Sequence, residues 1–369
     1  MRQQSFSFWR QTWKRFRKNK TALFGLAVIL MTSLIAVFGY FLAPDSSPNA
    51  DLLTVEIQAK KPGYAQQFLK VPDKKMNRTS WFTRLLYGRQ EDYLYIPITG
   101  YRVSGDTLLV KKYIDDDTSV VRTFSIRQLT NDHPGKLLSQ NITIKKYWLG
   151  TDKFGRDILS RLIIGTRISL AVGLIAVLIS LSLGIILGAM AGYYKGWVDE
   201  VVMWLINVTW SIPTLLLVFA ITLAMGKGFW QIFIAVGLTM WVSVARQIRG
   251  QVMAIKNLEY IQAARALGYT DARIITKHIL PNILGPVMVI AASNFATAII
   301  VEAGLSFLGI GVQPPQPSWG LMIKENYNFI ITHNPLLAMI PGFAIMLLVL
   351  AFNLLGNGLR DAFDVRNEG

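Results

Sequence analysis

The sequence predicts an all-α polytopic membrane protein with about six transmembrane helices and a small, mainly β extracytoplasmic insertion between the first two. Hydrophobic residues make up 52% of the 369 residues, and they lie in separate blocks. A helix needs about 20 mostly apolar residues to cross a bilayer, and several blocks are long enough. The polar stretch after the first block contains β-branched and aromatic runs, which are typical of strands.

The blocks predict six spans. Their approximate bounds are 21–43, 168–191, 201–225, 229–245, 283–303 and 335–355. The basic residues before the first span predict a cytoplasmic N-terminus that rests on lipid headgroups, and an even number of spans returns the C-terminus to the same side. Pro213 lies inside the third span, where proline removes a backbone hydrogen bond and kinks the helix.

This topology predicts three segments. Residues 1–44 form the basic N-terminus and first helix, residues 45–146 form the insertion, and residues 147–369 form a membrane core with spans two to six. The insertion is rich in Lys and Arg, but the positive-inside rule applies to short loops and not to translocated segments of this length.

Four runs in the insertion predict an antiparallel sheet: Tyr93–Pro97, Tyr101–Val103, Thr107–Ile114 and Ser119–Ile126. Turn residues such as those at 104–106 and 115–117 separate them. The stretch Trp81–Tyr87 allows two interpretations, an amphipathic helix on the membrane surface or part of the core of the sheet.

The net charge of +16 does not indicate a nucleic-acid partner. Much of the excess lies beside the apolar blocks, and the basic residues lack the aromatic platform of single-strand binders. Cysteine is absent, which excludes disulfides and thiolate metal sites. His133, His278 and His333 are far apart in sequence, so we expect no metal site and no cofactor in this chain.

The segment between the fourth and fifth spans predicts two short helices beneath the membrane. Asn257 is suited to cap the first, and Gly268 to end it in the left-handed conformation. Thr270 is suited to cap a second helix that ends at Leu280, where Pro281 breaks the chain. From spacing alone, a plain connector explains the segment equally well.

This segment resembles the EAA loop of the membrane subunits of binding-protein-dependent ABC importers. That pattern reads Glu-Ala-Ala, three residues, Gly, nine residues, an aliphatic residue, any residue and Leu-Pro. The matching positions are Ala263, Ala264, Gly268, Leu280 and Pro281. Gln262 replaces the glutamate and His278 the aliphatic residue, departures that resemble the peptide and nickel branch of the family.

Other stretches resemble the same branch. They are residues 148–170, 302–320 and 353–364, and Phe16–Lys20 resembles the N-terminal signature of C-type dipeptide and oligopeptide permease subunits. The resemblance covers residues 1–44 and 147–366 and leaves out the insertion.

The resemblance implies a multi-pass permease subunit of the bacterial inner membrane that imports di- or oligopeptides and forms half of the translocation path. It implies a second homologous permease subunit in a heterodimer, two ATPase subunits and an extracytoplasmic substrate-binding protein. This chain contains no G-x-x-x-x-G-K-[ST] phosphate loop, so ATP and Mg²⁺ are expected on the ATPase subunits and no catalysis is expected here.

The resemblance also implies a coupling helix that docks in a groove of the ATPase. Its expected contact residues are Glu259, Tyr260, Gln262, Ala263, Ala264, Arg265, Ala266, Leu267, Gly268, Leu280 and Pro281. A change of nucleotide state would then select between two conformations of the pore.

The translocation path is predicted less directly. Polar residues within spans usually face a bundle interior or a water-filled cavity, and the candidates are Asn207, Ser211, Asn294 and Glu302, with Thr209 and Thr297 beside them. Backbone hydrogen bonding is the alternative for the hydroxyl residues, and a position at the membrane interface is the alternative for Glu302.

Three other functions remain open from the residues alone. A membrane-anchored receptor or sensor would use residues 45–146 as its ligand-binding domain, but it would usually also carry a signalling domain. An intramembrane enzyme would need convergent catalytic groups within the spans. An exporter of the same general class differs in the direction of transport.

Overall fold

The computed structural model describes residues 8–72, 80–129, 141–226, 228–331 and 334–364; His133 and His333 lie outside them. The helices are α1 (Phe8–Phe16), α2 (Lys20–Leu42), α3 (Trp81–Tyr87), α4 (Ile126–Leu129), α5 (Ile158–Tyr194), α6 (Gly196–Trp210), α7 (Thr214–Met225), α8 (Phe229–Lys256), α9 (Glu259–Ala266), α10 (Asp271–Arg273), α11 (Leu284–Leu308), α12 (Trp319–Asn326) and α13 (Leu336–Phe363). The strands are β1 (Tyr64–Pro72), β2 (Tyr93–Ser104), β3 (Thr107–Tyr113), β4 (Ser119–Ser125) and β5 (Ile142–Tyr147).

Among the described residues, five helical stretches are long and apolar enough to cross a membrane, and a bent pair makes a sixth if its two helices count as one span. The five are α2, α5, α8, α13 and the continuous run Asp271–Leu308. The prediction of about six spans is therefore confirmed.

The third span is not the single kinked helix that the sequence predicts. It is broken into α6 and α7, whose axes differ by 92°. Pro213 precedes the first residue of α7, and because proline has no N–H to continue the helical ladder, the chain turns between the two helices.

The chain divides into two compact units. The first comprises residues 1–33, 169–313 and 344–369, and the second comprises residues 34–168 and 314–343. The first unit contains most of the membrane helices, and the second contains the sheet.

In the first unit, α5 and α8 pack with almost no space between their backbones. Gly184, Gly188 and Gly192 repeat at every fourth residue of α5 and therefore lie on one face. A Cβ atom at these positions would come within 2.9 Å of the Trp241 carbonyl oxygen, 2.9 Å of the Ala245 Cα and 2.7 Å of the Arg249 carbonyl oxygen, all on α8.

The same principle recurs in other helix pairs of this unit. A Cβ at Gly237 of α8 would lie 2.7 Å from the Ile179 Cβ of α5, and one at Gly173 would collide with the Phe295 ring of α11. Lipid tails are as apolar as the helices, so helix association in a membrane depends on close packing at small residues. The glycines of α5 supply that packing.

The second unit is built on one antiparallel sheet with the strand order β4-β3-β2-β1-β5. All of its strand pairs are antiparallel, and two predicted runs lie in the single strand β2. The predicted runs do not include β1 and β5. Gln66 and Gln67 interrupt the apolar pattern of β1, and β5 is short and contains two lysines, so neither matches the alternation expected of a half-buried strand.

The two faces of the sheet have different cores. One face contributes Leu69, Ile98, Leu108 and Val110 to an aliphatic cluster that α4 covers with Leu129. The other contributes an aromatic cluster of Phe68, Tyr113 and Tyr147, with Tyr64 and Tyr95 packed against it and Ile57 beside it.

Residues 81–87 form the helix α3, and none of them is buried. Trp81 and Phe82 are each 62% exposed, and the Trp81 ring lies 6.0 Å from that of Phe41 near the end of α2. Of the two interpretations left open, a place in the core of the sheet is therefore wrong.

The second unit also contains a buried ionic cluster. Arg156 contacts Asp152 and Glu325, with N–O distances of 2.6 Å to each, and the Arg161 guanidinium lies 3.1 Å from Glu325. All four side chains are at most 7% exposed. Buried charges of this kind persist only when they are paired, so the cluster fixes the segment before α5 against α12.

We predict that Gly188→Leu destabilises the protein because its side chain has no space beside the α8 backbone. Overpacking of this kind typically costs about 1–3 kcal/mol. Thermal unfolding of the purified chain in detergent should begin at a lower temperature. Gly250 is the matched control, since a Cβ there meets nothing within 4 Å; Gly250→Leu should leave the midpoint nearly unchanged. Equal effects of the two substitutions would contradict the proposed close packing.

Candidate functional site

The short helix α9 follows directly on α8, beginning at Glu259. Its N-cap is Leu258, in an extended conformation and without a side-chain capping bond. The prediction that Asn257 caps this helix is wrong, because Asn257 instead ends α8. The chain thus leaves one helix and enters the next within two residues, which fixes the direction of α9.

Gly268 ends this helical segment in the left-handed conformation, as predicted, with a φ of +77°. The Gly268 N–H donates to the Arg265 carbonyl at 2.9 Å, and the Tyr269 N–H donates to the Ala264 carbonyl at 3.2 Å. These bonds satisfy carbonyls that the end of the helix would leave open.

The second predicted helix has a different form. Thr270 precedes α10 but makes no side-chain capping bond. A π-helical turn over Ile274–Ile279 and a 3₁₀ turn over Leu280–Ile283 follow, and they continue into α11. The prediction that Pro281 breaks the chain is wrong. The change in helical pitch accommodates the missing proline N–H, as local changes of helix type do in membrane helices.

One face of α9 is buried against the membrane helices. Ile261 and Ala264 are 1% and 5% exposed. They pack in one cluster with Val252 of α8, with Ala189 of α5 and with Ile274 of the following helical run. Because α9 shares a core with three long helices, it cannot shift without moving them.

Tyr193, at the end of α5, connects three elements of this site. Its hydroxyl donates to the Asp271 carboxylate at 2.5 Å and accepts from the Arg265 guanidinium at 2.9 Å. Lys256 donates to the Tyr193 carbonyl oxygen. The hydrogen bond to Tyr193 raises the pKa of Arg265 above its ordinary value. The ends of α5 and α8 are thereby tied to both sides of the bend at Gly268.

A second set of contacts holds the bend from the other side. The Asn282 amide donates to the Tyr260 hydroxyl at 3.2 Å and to the His278 carbonyl at 2.6 Å. The His278 ring stacks on Tyr269 with 5.7 Å between centroids, and Arg273 covers that tyrosine at 4.2 Å. Partial burial raises the pKa of the Tyr260 phenol.

Most predicted contact residues remain open to solvent. The exposed ones are Glu259, Tyr260, Gln262, Ala263, Arg265, Ala266, Leu267, Gly268 and Pro281, whereas Leu280 is half-buried and Ala264 is buried. Leu267 is 74% exposed, and a Cβ at Gly268 would meet nothing within 4 Å. The exposed face of residues 259–268 is therefore a ridge of mixed polar and small residues with an apolar tip at Leu267.

The predicted path residues fall into two groups. Asn207 and Ser211 are exposed at the broken span, whereas Asn294 and Glu302 are buried in α11. Among the described residues, no hydrogen bond joins the two groups. The Ser211 hydroxyl donates to the Val208 carbonyl at 2.7 Å, and the hydroxyls of Thr209 and Thr297 likewise bond to backbone, which is the alternative expected for such residues.

Glu302 is fully buried within the chain. It accepts from the Ser306 hydroxyl at 2.7 Å, and that hydroxyl accepts in turn from the Val312 N–H at 3.1 Å. Glu302 thus braces the turn that follows α11. The side-chain amide nitrogen of Asn294 is buried without a hydrogen-bond partner in the part of the chain that the structure describes.

Searched over the described residues, the structure holds no group of three or more His, Cys, Asp or Glu side chains that could bind a metal ion. The bend at Gly268 combines an exposed ridge with a buried face that packs against α5, α8 and the run into α11.

The sequence matches two protein families. Residues 184–368 match the binding-protein-dependent transport system inner membrane component, and residues 7–57 match the N-terminal TM domain of oligopeptide transport permease C. The first match includes α6 to α13, and with them the bend at Gly268.

Proteins with sequences similar to this chain are named as permease proteins of peptide and glutathione transport systems. The chain is 44% identical over 218 residues to a glutathione transport system permease protein of Pectobacterium atrosepticum, covering 59% of this chain and 72% of that protein. It is 42% identical over 219 residues to a dipeptide transport system permease protein of Alkalihalophilus pseudofirmus, with the same two coverages. Among solved structures, an inward-facing MetNI methionine ABC transporter aligns with a TM-score of 0.46 and 18% identity, over 56% of this chain and 97% of that one.

These matches do not support the receptor alternative, since the relatives are transport permeases. The five to six apolar spans among the described residues are also expected of a transport permease. The chain therefore belongs to the family of inner membrane components of binding-protein-dependent transport systems, and it is a permease subunit of an ABC importer.

Proposed function

We propose that this permease imports di- or oligopeptides, a class that includes glutathione-like peptides. The names of its relatives support this substrate class, at 42–44% identity over the permease core. The match of residues 7–57 to the N-terminal domain of oligopeptide permeases supports it independently.

The same proposal assigns partners to the chain. A second, homologous permease subunit completes the path in a heterodimer, two ATPase subunits bind ATP and Mg²⁺ on the cytoplasmic side, and a substrate-binding protein docks outside. This chain has no phosphate-loop sequence of its own. Its contribution is to transmit the movement of the ATPases.

The exposed ridge of residues 259–268 is the surface that receives this movement. Its small residues allow a groove to approach closely, and the exposed Leu267 side chain gains by being covered. The opposite face of α9 is buried with α5, α8 and the start of α11. A push on the ridge is therefore passed to three long helices together, as expected of a rigid lever.

For the translocation path we propose Asn207, Ser211 and Asn294. The first two are exposed where the third span is broken, and a break at membrane depth is tolerated where it lines a cavity or is covered by protein. Asn294 has an amide without a partner among the described residues. The bond of Glu302 to Ser306 supports a positioning role at the edge of the path.

We also propose that both termini are cytoplasmic and that the sheet of residues 45–146 is extracytoplasmic, between a first segment over residues 1–44 and the permease core over 147–369. The basic residues before α2 support this orientation. The chain would then carry an outer domain beside its first span.

Purification of the intact transporter with its substrate-binding protein tests the substrate class. Mass spectrometry of the ligand released from that binding protein should identify peptides of a few residues. Recovery of a sugar, or of nickel without peptide, would contradict peptide import while leaving the permease assignment intact.

Leu267→Asp and Gly268→Arg should reduce transport and substrate-stimulated ATP hydrolysis at least tenfold, because both place a charge on the surface that meets the ATPase. The protein should still insert normally, since neither side chain packs within the chain. Gly226→Arg is the matched control. Gly226 also has a positive φ and open space but lies at the opposite end of α8. Full activity of the Leu267 and Gly268 variants would refute the coupling assignment.

The absence of cysteine makes the orientation directly testable. We predict that Val121→Cys, on the exposed strand β4, reacts with an impermeant maleimide applied to spheroplasts. Leu267→Cys, in the chain expressed without the ATPase subunits that would cover this position, should react only in inside-out vesicles. Reversed labelling would show that the proposed topology is inverted.

A further inference from the structure

The second unit contains a cavity of about 190 Å³ beside the residues that follow α2. One face of the sheet supplies its walls through Phe68 of β1, Tyr95 of β2 and Tyr147 of β5. Pro44, Leu53 and Leu94 frame it and are exposed. The cavity therefore has an aromatic interior and an apolar rim near the outer end of the first span.

Asp157 lines this cavity, and one of its two carboxylate oxygens accepts no hydrogen bond from the described residues. Its Oδ2 accepts from the Ser160 N–H at 3.0 Å and from the Ser160 hydroxyl at 2.5 Å, which caps the start of α5. Its Oδ1 is buried and has no hydrogen-bond partner among the described residues, and the residue is only 7% exposed. Capping therefore explains one oxygen and leaves a second, buried acceptor on a residue that lines the cavity.

Lys145 is the complementary group in the same cavity. Its ammonium lies 3.2 Å from the centre of the Tyr95 ring, and it forms no ion pair with a carboxylate in the described part of the chain. Asp45 also lines the cavity, but its two oxygens already accept from the Ser47 and Leu52 N–H groups at 2.9 and 3.2 Å.

The Asp157 carboxylate and the Lys145 ammonium line one cavity and do not pair with each other. A ligand with one positive and one negative group would complement both side chains. We propose that this cavity binds a small zwitterion, whose ammonium contacts Asp157 and whose anionic oxygens contact Lys145. The aromatic walls suit this ligand as well, because ammonium groups are attracted to the faces of tyrosine and phenylalanine rings.

The electrostatics of the two side chains agree with this geometry. Burial raises the pKa of Asp157, against the hydrogen bonds from Ser160, and burial lowers the pKa of Lys145. In both cases the cause is burial, which disfavours the charged form of each side chain. A zwitterion would supply a counter-charge to each.

Two sources carry this chemistry. One is a short peptide or amino acid, and the other is the phosphoethanolamine headgroup of a membrane lipid, which the rim beside α2 would allow to enter. The site is separate from the ridge of residues 259–268, so its test is independent of the coupling proposal.

The test measures equilibrium binding to the full chain in phosphatidylglycerol nanodiscs, which contain no ammonium lipid. The probes are dialanine, N-acetyl-dialanine without the ammonium, and dialanine amide without the carboxylate. Wild type should bind dialanine at least tenfold more tightly than either capped form. Asp157→Asn keeps a side chain that can cap α5, and it should abolish discrimination against N-acetyl-dialanine only. Lys145→Met should abolish discrimination against the amide only.

These ratios separate loss of the site from misfolding, since each variant keeps one of the two preferences. Asp116→Asn is the control, because Asp116 is an exposed carboxylate of the same unit outside the cavity. It should keep both preferences.

A repeat in phosphatidylethanolamine nanodiscs distinguishes the sources. If the headgroup is the occupant, dialanine should bind at least tenfold more weakly there, and native mass spectrometry should show lipid retained by wild type but not by the Asp157 variant. Unchanged dialanine affinity would assign the site to peptides. Absence of both dialanine and headgroup binding, or ratios that neither variant alters, would overturn the proposal.

Discussion

The close approach of α5 to α8 is the contact on which the membrane unit depends. Gly184, Gly188 and Gly192 bring the two backbones together where any side chain would collide with α8. In a bilayer the hydrophobic effect does not drive helices together, because the lipid tails are as apolar as the helices. Close packing of this kind therefore decides which helices associate. The contact ends at Tyr193, the residue that holds the bend at Gly268. The helix pair and the proposed coupling site are therefore one continuous structure.

This continuity explains how an exposed helix of eight residues could act on a pore. A helix so short is not stable alone in water, and α9 keeps its shape because Ile261 and Ala264 are buried in a core shared with α5, α8 and the run into α11. The π-helical and 3₁₀ turns around Pro281 keep that run continuous. The bend is thus rigid on the inside and open on the outside, as a lever between two proteins requires.

The second unit is organised by different forces. Its sheet has an aliphatic face covered by α4 and an aromatic face that borders the cavity. Arg156 and Arg161 are buried with Asp152 and Glu325, an arrangement that is costly unless every charge is compensated. Asp157 caps the start of α5 and also lines the cavity. Ionic and aromatic contacts therefore define this unit, whereas backbone proximity defines the membrane unit.

About six spans, three of the five strands, the left-handed Gly268 and the resemblance to an importer family could be predicted from the sequence, because these depend on local composition and on motifs of fixed spacing. The glycine repeat of α5 was also readable, yet only the structure identified α8 as its partner. Tertiary structure alone decided that Asn257 ends one helix instead of starting another, that Pro281 is absorbed in a continuous run, and that Ala264 is buried while Leu267 is exposed. It also brought Asp157 and Lys145 into one cavity. Those outcomes depend on contacts between residues that are far apart in the sequence, and local sequence periodicity does not predict such contacts.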